Sequence, residues 1–217
     1  MENYISEKAA EKLGSMKTFF KVIAYRFIPL CFSYPFFKIF GRLEVRGIKN
    51  IPKSGGILIA SNHLSCIDPP LLGTVIPGGC VFMAKHKLFE IPILKYLINY
   101  YAFPINRQKP GPSAIKIALT KLSGGEIVVI FPEGSRNRGE MSLPPKNGIG
   151  MIAALSKKKI IPTLIEGTDR LLPPGKLIPR PAKLRVTFGD PLDLSQEDAD
   201  YIEISSKIMK SIENIKK

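Results

Sequence analysis

At 217 residues and 24.0 kDa, with 45% apolar residues, the chain is long enough to bury a substantial core and too apolar to stay disordered. Its formal charge of +14 and pI near 9.7 call for an anionic partner or surface, but no helix-turn-helix, zinc-finger or RNP pattern supports a nucleic acid. Cys31, Cys66 and Cys80 are odd in number and lack metal-ligand spacing; with two histidines in all, a zinc site and a disulfide framework are excluded, and a reducing compartment is expected.

Residues 2–14 read as a short polar helix. Residues 16–40 differ: seven of the 12 phenylalanines fall here, and no acid lies between Glu11 and Glu44, whereas Lys12, Lys17, Lys21, Arg26, Lys38 and Arg42 do. The longest uncharged run, Phe27 to Phe37, is too short to span a hydrocarbon core of about 30 Å, and Pro29 and Pro35 break it. The segment is also unlike a cleavable signal, because it starts late and has no small-residue cleavage site. It predicts two short amphipathic helices lying in a membrane interface, aromatic faces down and basic residues at the headgroups. The competing reading is a pair of core-packing helices.

From residue 41 the pattern alternates. Strands are predicted at 43–46, 57–60, 81–84, 102–105, 127–131, 160–165 and 184–188, with helices at 69–74, 91–100, 112–122 and 149–157 between them. Residues 171–181 hold four prolines and a glycine and form a loop. Ser195 to Asp198 is a capping-box variant that opens a final helix with Ile204, Ile208, Ile212 and Ile215 on one face. The expected architecture is α/β, a central mostly mixed sheet flanked by helices (residues 41–217), behind an N-terminal amphipathic two-helix membrane-docking segment (residues 1–40).

The chemistry concentrates where strands end. After the buried run Gly56 to Ala60 comes Asn62-His63-Leu64-Ser65-Cys66-Ile67-Asp68, then Pro69 and Pro70, which reads as strand, turn, His63, loop, Asp68 as N-cap, and helix. Across a turn the two side chains can meet, and a carboxylate on one imidazole nitrogen leaves the other free to take a proton. Arg107 follows the fourth strand. Phe131-Pro132-Glu133-Gly134-Ser135-Arg136 follows the fifth and presents an acid and an arginine at a glycine turn. In open α/β sheets ligands bind beyond the carboxyl ends of the strands, and the planar guanidinium fork suits a phosphate there. Gly134 would let the backbone approach such an anion closely. Taken singly each cluster has an ordinary reading: a surface arginine, an ion pair holding a loop, a proline or glycine shaping a turn. Cys66 lies in an apolar context with no cationic sequence neighbour, so an acyl-cysteine is not expected, and His86 between two lysines reads as a surface residue.

Taken in order, Asn62-His63-x-Ser65-x-x-Asp68, then Arg107, then Phe131-Pro132-Glu133-Gly134-x-Arg136, then the apolar strand with Ile161-Pro162, the chain resembles the four blocks of the 1-acylglycerol-3-phosphate acyltransferase family. Met83-Ala84-Lys85, Leu88-Phe89 with Ile91-Pro92, and Lys146-x-Gly148 extend the likeness over residues 41–190. Tyr101, Lys87 and Pro145 depart from the family pattern and bear on substrate identity more than on reaction type. The resemblance implies transfer of a fatty acyl group from an acyl thioester to the free sn-2 hydroxyl of 1-acylglycerol-3-phosphate, giving phosphatidic acid in phospholipid biosynthesis. It implies His63 as general base and Asp68 as the group that orients it and stabilises the imidazolium. Arg107, Glu133, Gly134 and Arg136 would form the acceptor phosphate site, with Glu133 positioning the arginines and Lys85 and Arg138 as further candidates. No cofactor or metal is implied beyond the donor, an acyl-carrier protein or coenzyme A thioester. Partners are then a membrane lipid acceptor and an anionic membrane surface, with no nucleic acid, and the place is peripheral or monotopic on the cytoplasmic face of a membrane. The alternatives are acylation of another lysophospholipid or of glycerol-3-phosphate, or a non-catalytic membrane-surface binding protein.

Overall fold

A computed structural model describes residues 29–90, 101–105, 112–137, 144–194 and 200–215. Seven strands form one sheet: β1 (Glu44–Arg46), β2 (Ile57–Ser61), β3 (Val81–Lys85), β4 (Ala102–Ile105), β5 (Ile127–Ile130), β6 (Ile160–Glu166) and β7 (Arg185–Phe188). Their order is β1-β7-β6-β2-β5-β3-β4. Only β6 and β7 pair antiparallel; every other neighbouring pair is parallel. The sheet is mixed, as expected, and the predicted strands are present.

The sequence of β2 explains its central place. All five residues of Ile57–Ser61 are buried, which suits a strand covered on both faces. Its side chains alternate between two cores. Ile57 and Ile59 join Ile161, Ile165, Leu71 and Leu72 on one face, whereas Leu58 and Ala60 join Leu122, Ile152, Ile204 and Ile208 on the other. Helices α1 (Tyr34–Ile39), α2 (Asp68–Val75) and α5 (Thr168–Leu171) cover the first face. Helices α3 (Pro112–Ser123), α4 (Asn147–Ser156) and α6 (Tyr201–Asn214) cover the second.

Two local readings are corrected. Asp68 is the first residue of α2 and not its cap; Ile67 holds the N-cap place, its carbonyl accepting the Leu71 N–H at 2.9 Å. The last helix starts at Tyr201 with Asp200 at its N-cap, so a capping box at Ser195 does not open it. Ser195 to Asp198 lie outside the described residues, as do residues 1–28, the predicted helix at 91–100, and Arg107 and Arg138. Of the aromatic N-terminal segment, the described part is a π-helical turn (Pro29–Ser33) and α1. Phe37 is buried in the core, and Phe32, Ile39 and Phe40 are exposed.

Candidate active site

The parallel strands β6, β2, β5, β3 and β4 send their carboxyl ends to one edge of the sheet. His63 follows β2 there and Phe131 to Arg136 follow β5. The turn carrying His63 is anchored through Asn62, whose side-chain Nδ2 donates to the Ile165 carbonyl (2.8 Å) and whose Oδ1 accepts the Ile165 N–H (2.7 Å). This two-way amide clamp ties the end of β2 to β6. Ser65 Oγ donates to the Leu172 carbonyl at 3.0 Å and ties the same loop to the chain after α5.

His63 and Asp68 are both buried, and Nδ1 of the ring lies 2.8 Å from Asp68 Oδ2. A carboxylate only accepts, so Nδ1 carries the proton and donates it. The same oxygen accepts the N–H groups of Leu64 (2.7 Å) and Ser65 (2.8 Å). The carboxylate therefore turns away from its own helix and back over the loop. Three donors on one oxygen hold it in place, and Oδ1 is buried without a partner among the described residues. One face of the imidazole stacks on Phe131, with centroids 4.1 Å apart and planes 17° apart. Among the described residues Nε2 makes no hydrogen bond. His63 lines a cavity of about 290 Å³ whose other walls include Met83, Ile115, Ile130, Ile149 and Ile152. Asn147 and Gly148, in the uncapped first turn of α4, also line it.

The third predicted cluster is brought to the same place but arranged otherwise than expected. Glu133 is buried under the His63 loop, where the His63 backbone N–H donates to it. Gly134 has φ +68°, a left-handed conformation that favours glycine, and its N–H closes the turn onto the Phe131 carbonyl at 3.0 Å. The Asn137 N–H donates to the His63 carbonyl at 2.7 Å. This segment thus braces the His63 loop from beside it. Arg136 is half-buried and lines a second cavity, about 260 Å³, between Leu64, Ser65 and Cys66 on one side and the Leu172–Leu177 loop on the other. Lys176 lines it too. The sequence predicts only a loop over residues 171–181, and no local signal marks Lys176, because its place depends on a contact across more than 100 residues. No local signal marks Asn62 as a positioning residue either, since its partner Ile165 is 103 residues away. His86 is exposed, 3.3 Å from Glu90, as its sequence context predicts.

Burial pushes the Glu133 carboxyl from its ordinary 4.5 up to about 7; the His63 N–H opposes that shift and the Asp68 charge adds to it. The native state then holds a proton that the unfolded chain has lost between pH 4.5 and 7, so this group's contribution to stability falls as pH rises through that window and levels off above it. The difference amounts to about 3 kcal/mol at most. Glu133→Gln is expected to remove this component. Urea unfolding at about pH 5 and about pH 8 should show a steeper decline for wild type than for the variant, and parallel declines would show that Glu133 does not titrate in this range.

Residues 42–166 match the protein family described as Acyltransferase. The chain is 34% identical over 169 residues to the 1-acyl-sn-glycerol-3-phosphate acyltransferase of Bacillus subtilis (strain 168), an overlap of 77% of this chain and 80% of that protein. It is 27% identical over 183 residues to the protein of the same name from Borreliella burgdorferi, covering 81% of this chain and 73% of that one. Among solved structures it shares the fold of the 1-acyl-sn-glycerophosphate (LPA) acyltransferase PlsC from Thermotoga maritima. There the TM-score is 0.75 at 24% identity, over 94% of this chain and 88% of that one.

Proposed function

The chain belongs to the acyltransferase family, and from that premise we propose that it moves a fatty acyl group from an acyl thioester to the sn-2 hydroxyl of 1-acylglycerol-3-phosphate, giving phosphatidic acid. The observation that carries this reading is the buried His63–Asp68 pair, with His63 lining an apolar cavity. Nε2 of His63 takes the proton of the acceptor hydroxyl as its oxygen attacks the thioester carbonyl. Asp68 holds Nδ1–H and balances the charge of the imidazolium. The tetrahedral adduct then collapses, its carbon–sulfur bond breaks, and the imidazolium returns the proton to the thiolate. No covalent acyl-enzyme is needed.

The apolar walls beside His63 fit a hydrocarbon tail, and the cavity with Arg136 and Lys176 fits an anionic headgroup. Arg107 is assigned to the same phosphate, and Glu133 and Gly134 to shaping the turn that presents Arg136. The donor is acyl-carrier protein or coenzyme A thioester, and no other cofactor takes part. The aromatic, basic N-terminal segment docks the enzyme at the cytoplasmic face of an anionic membrane. Among the described residues no helix is long and apolar enough to cross a membrane.

The test is acyl transfer by purified protein to labelled 1-acylglycerol-3-phosphate, with both donor types, beside glycerol-3-phosphate and monoacylglycerol. Phosphatidic acid is the expected product, with monoacylglycerol poorer by about 10²-fold or more for want of its phosphate. Product from glycerol-3-phosphate alone would move the acceptor assignment; no product from any acceptor would remove the reading.

A further inference from the structure

Residues 172–184 join α5 to β7 without regular structure, and their tip carries the two most exposed large apolar side chains among the described residues, Leu177 (94%) and Ile178 (79%). Single exposed apolar residues are ordinary. This pair is held out by a stiff frame. The Arg180 N–H donates to the Leu171 carbonyl at 2.7 Å and the Lys176 N–H to the Pro173 carbonyl at 3.0 Å, while Pro173, Pro174, Pro179 and Pro181 restrict the backbone. Arg170, Lys176, Arg180 and Lys183 are exposed around it, and no acid lies between Asp169 and Asp190. At its base the Ala182 N–H donates to the Phe40 carbonyl (3.1 Å), next to exposed Ile39 and Phe40. At its other end the Ser65–Leu172 hydrogen bond ties it to the His63 loop.

We propose that this loop is an interfacial insertion: Leu177 and Ile178 enter the headgroup–acyl boundary of an anionic bilayer, and the surrounding cations meet lipid phosphates. An apolar tip ringed by positive charge is complementary to such a surface. It is far smaller than the roughly 800 Å² per partner of a stable protein interface. The choice of a bilayer rests on the lipid acyl-transfer reading. Insertion beside the His63 loop sets the mouth of the site at the membrane surface, where a lipid acceptor need move only a short way out of its leaflet.

The sequence has no tryptophan, so Ile178→Trp supplies a single tryptophan that can be excited apart from the tyrosines. Lys53→Trp, exposed ahead of the amino end of β2 and so at the opposite edge of the sheet, is the control. On vesicles of phosphatidylcholine with about one-third phosphatidylglycerol, the tryptophan at 178 is expected to shift to the blue and be quenched by lipids brominated near the headgroup, and the one at 53 is not. Unshifted, unquenched emission at 178 from protein that co-sediments with the vesicles overturns the proposal and leaves binding to another segment; failure to co-sediment overturns it as well. Ile178→Asp is expected to weaken vesicle partition about tenfold. Its activity should fall to a similar degree on vesicle-borne acceptor, and hold on a short-chain, water-soluble one. Unchanged partition overturns the proposal. Quenching at 178 in a wild-type background without any acyl transfer would instead sink the enzymatic reading and leave the membrane loop standing.

Discussion

His63→Ala is expected to lower kcat by about 10²–10⁴, equivalent to about 3–5 kcal/mol of transition-state stabilisation, with little change in KM for the acceptor. The reasoning is local. Nδ1 is committed to Asp68, Nε2 makes no hydrogen bond among the described residues, and the ring lines the apolar cavity, so the one free nitrogen is the group able to take a proton there. The acceptor phosphate is assigned to the separate cavity with Arg136, which is why binding should survive. The ring also packs on Phe131, and its loss leaves Asp68 one donor short, so a stability loss of about 1–3 kcal/mol is expected as well. Initial rates at saturating substrates, with circular dichroism to confirm folding, make the measurement. A folded variant with wild-type kcat would remove His63 from the chemistry.

Asp68 is expected to show the second large effect, and two substitutions divide it. Asp68→Ala strands three buried donors, the His63 ring N–H and the Leu64 and Ser65 backbone N–H groups, and should cost about 3–5 kcal/mol of stability in addition to activity. Asp68→Asn keeps an oxygen that can accept from the loop but removes the charge facing the imidazolium. It is expected to fold nearly as well as wild type while kcat falls about 10²-fold or more. Equal stability losses in both variants, measured by urea unfolding, with kcat in the folded fraction unchanged, would reduce Asp68 to a loop-holding residue.

Both expectations rest on residues that the sequence singles out. Strand, turn, imidazole, loop and helix are readable in Gly56 to Leu72 because each is a short-range statement. An unbroken apolar run means a buried strand, paired prolines mean a helix start, and five residues across a turn can bring two side chains together. The same short-range logic misplaced the detail at Asp68. An acid before Pro-Pro looks the same whether it caps its helix or begins it, and the competition was decided by three donors from the preceding loop that no local pattern records. The last helix starts at Tyr201 after Asp200, later than the pattern at Ser195 to Asp198 implies.

By itself, then, the sequence determined the alternation of strands and helices, the meeting of His63 with Asp68 and the reaction class its blocks resemble, because these depend on residue type and near spacing. The strand order, with β2 between β5 and β6, was left to the tertiary structure, since pairing is set by which buried faces fit together and not by chain proximity. So was the placement of Asn62 on Ile165, of Glu133 beneath the His63 loop rather than out among the arginines, and of Lys176 beside Arg136. For Asn62 and Glu133 the deciding term is the free energy of burying a polar group. It depends on which distant donor or acceptor arrives to meet it, and that partner exists only once the chain has folded.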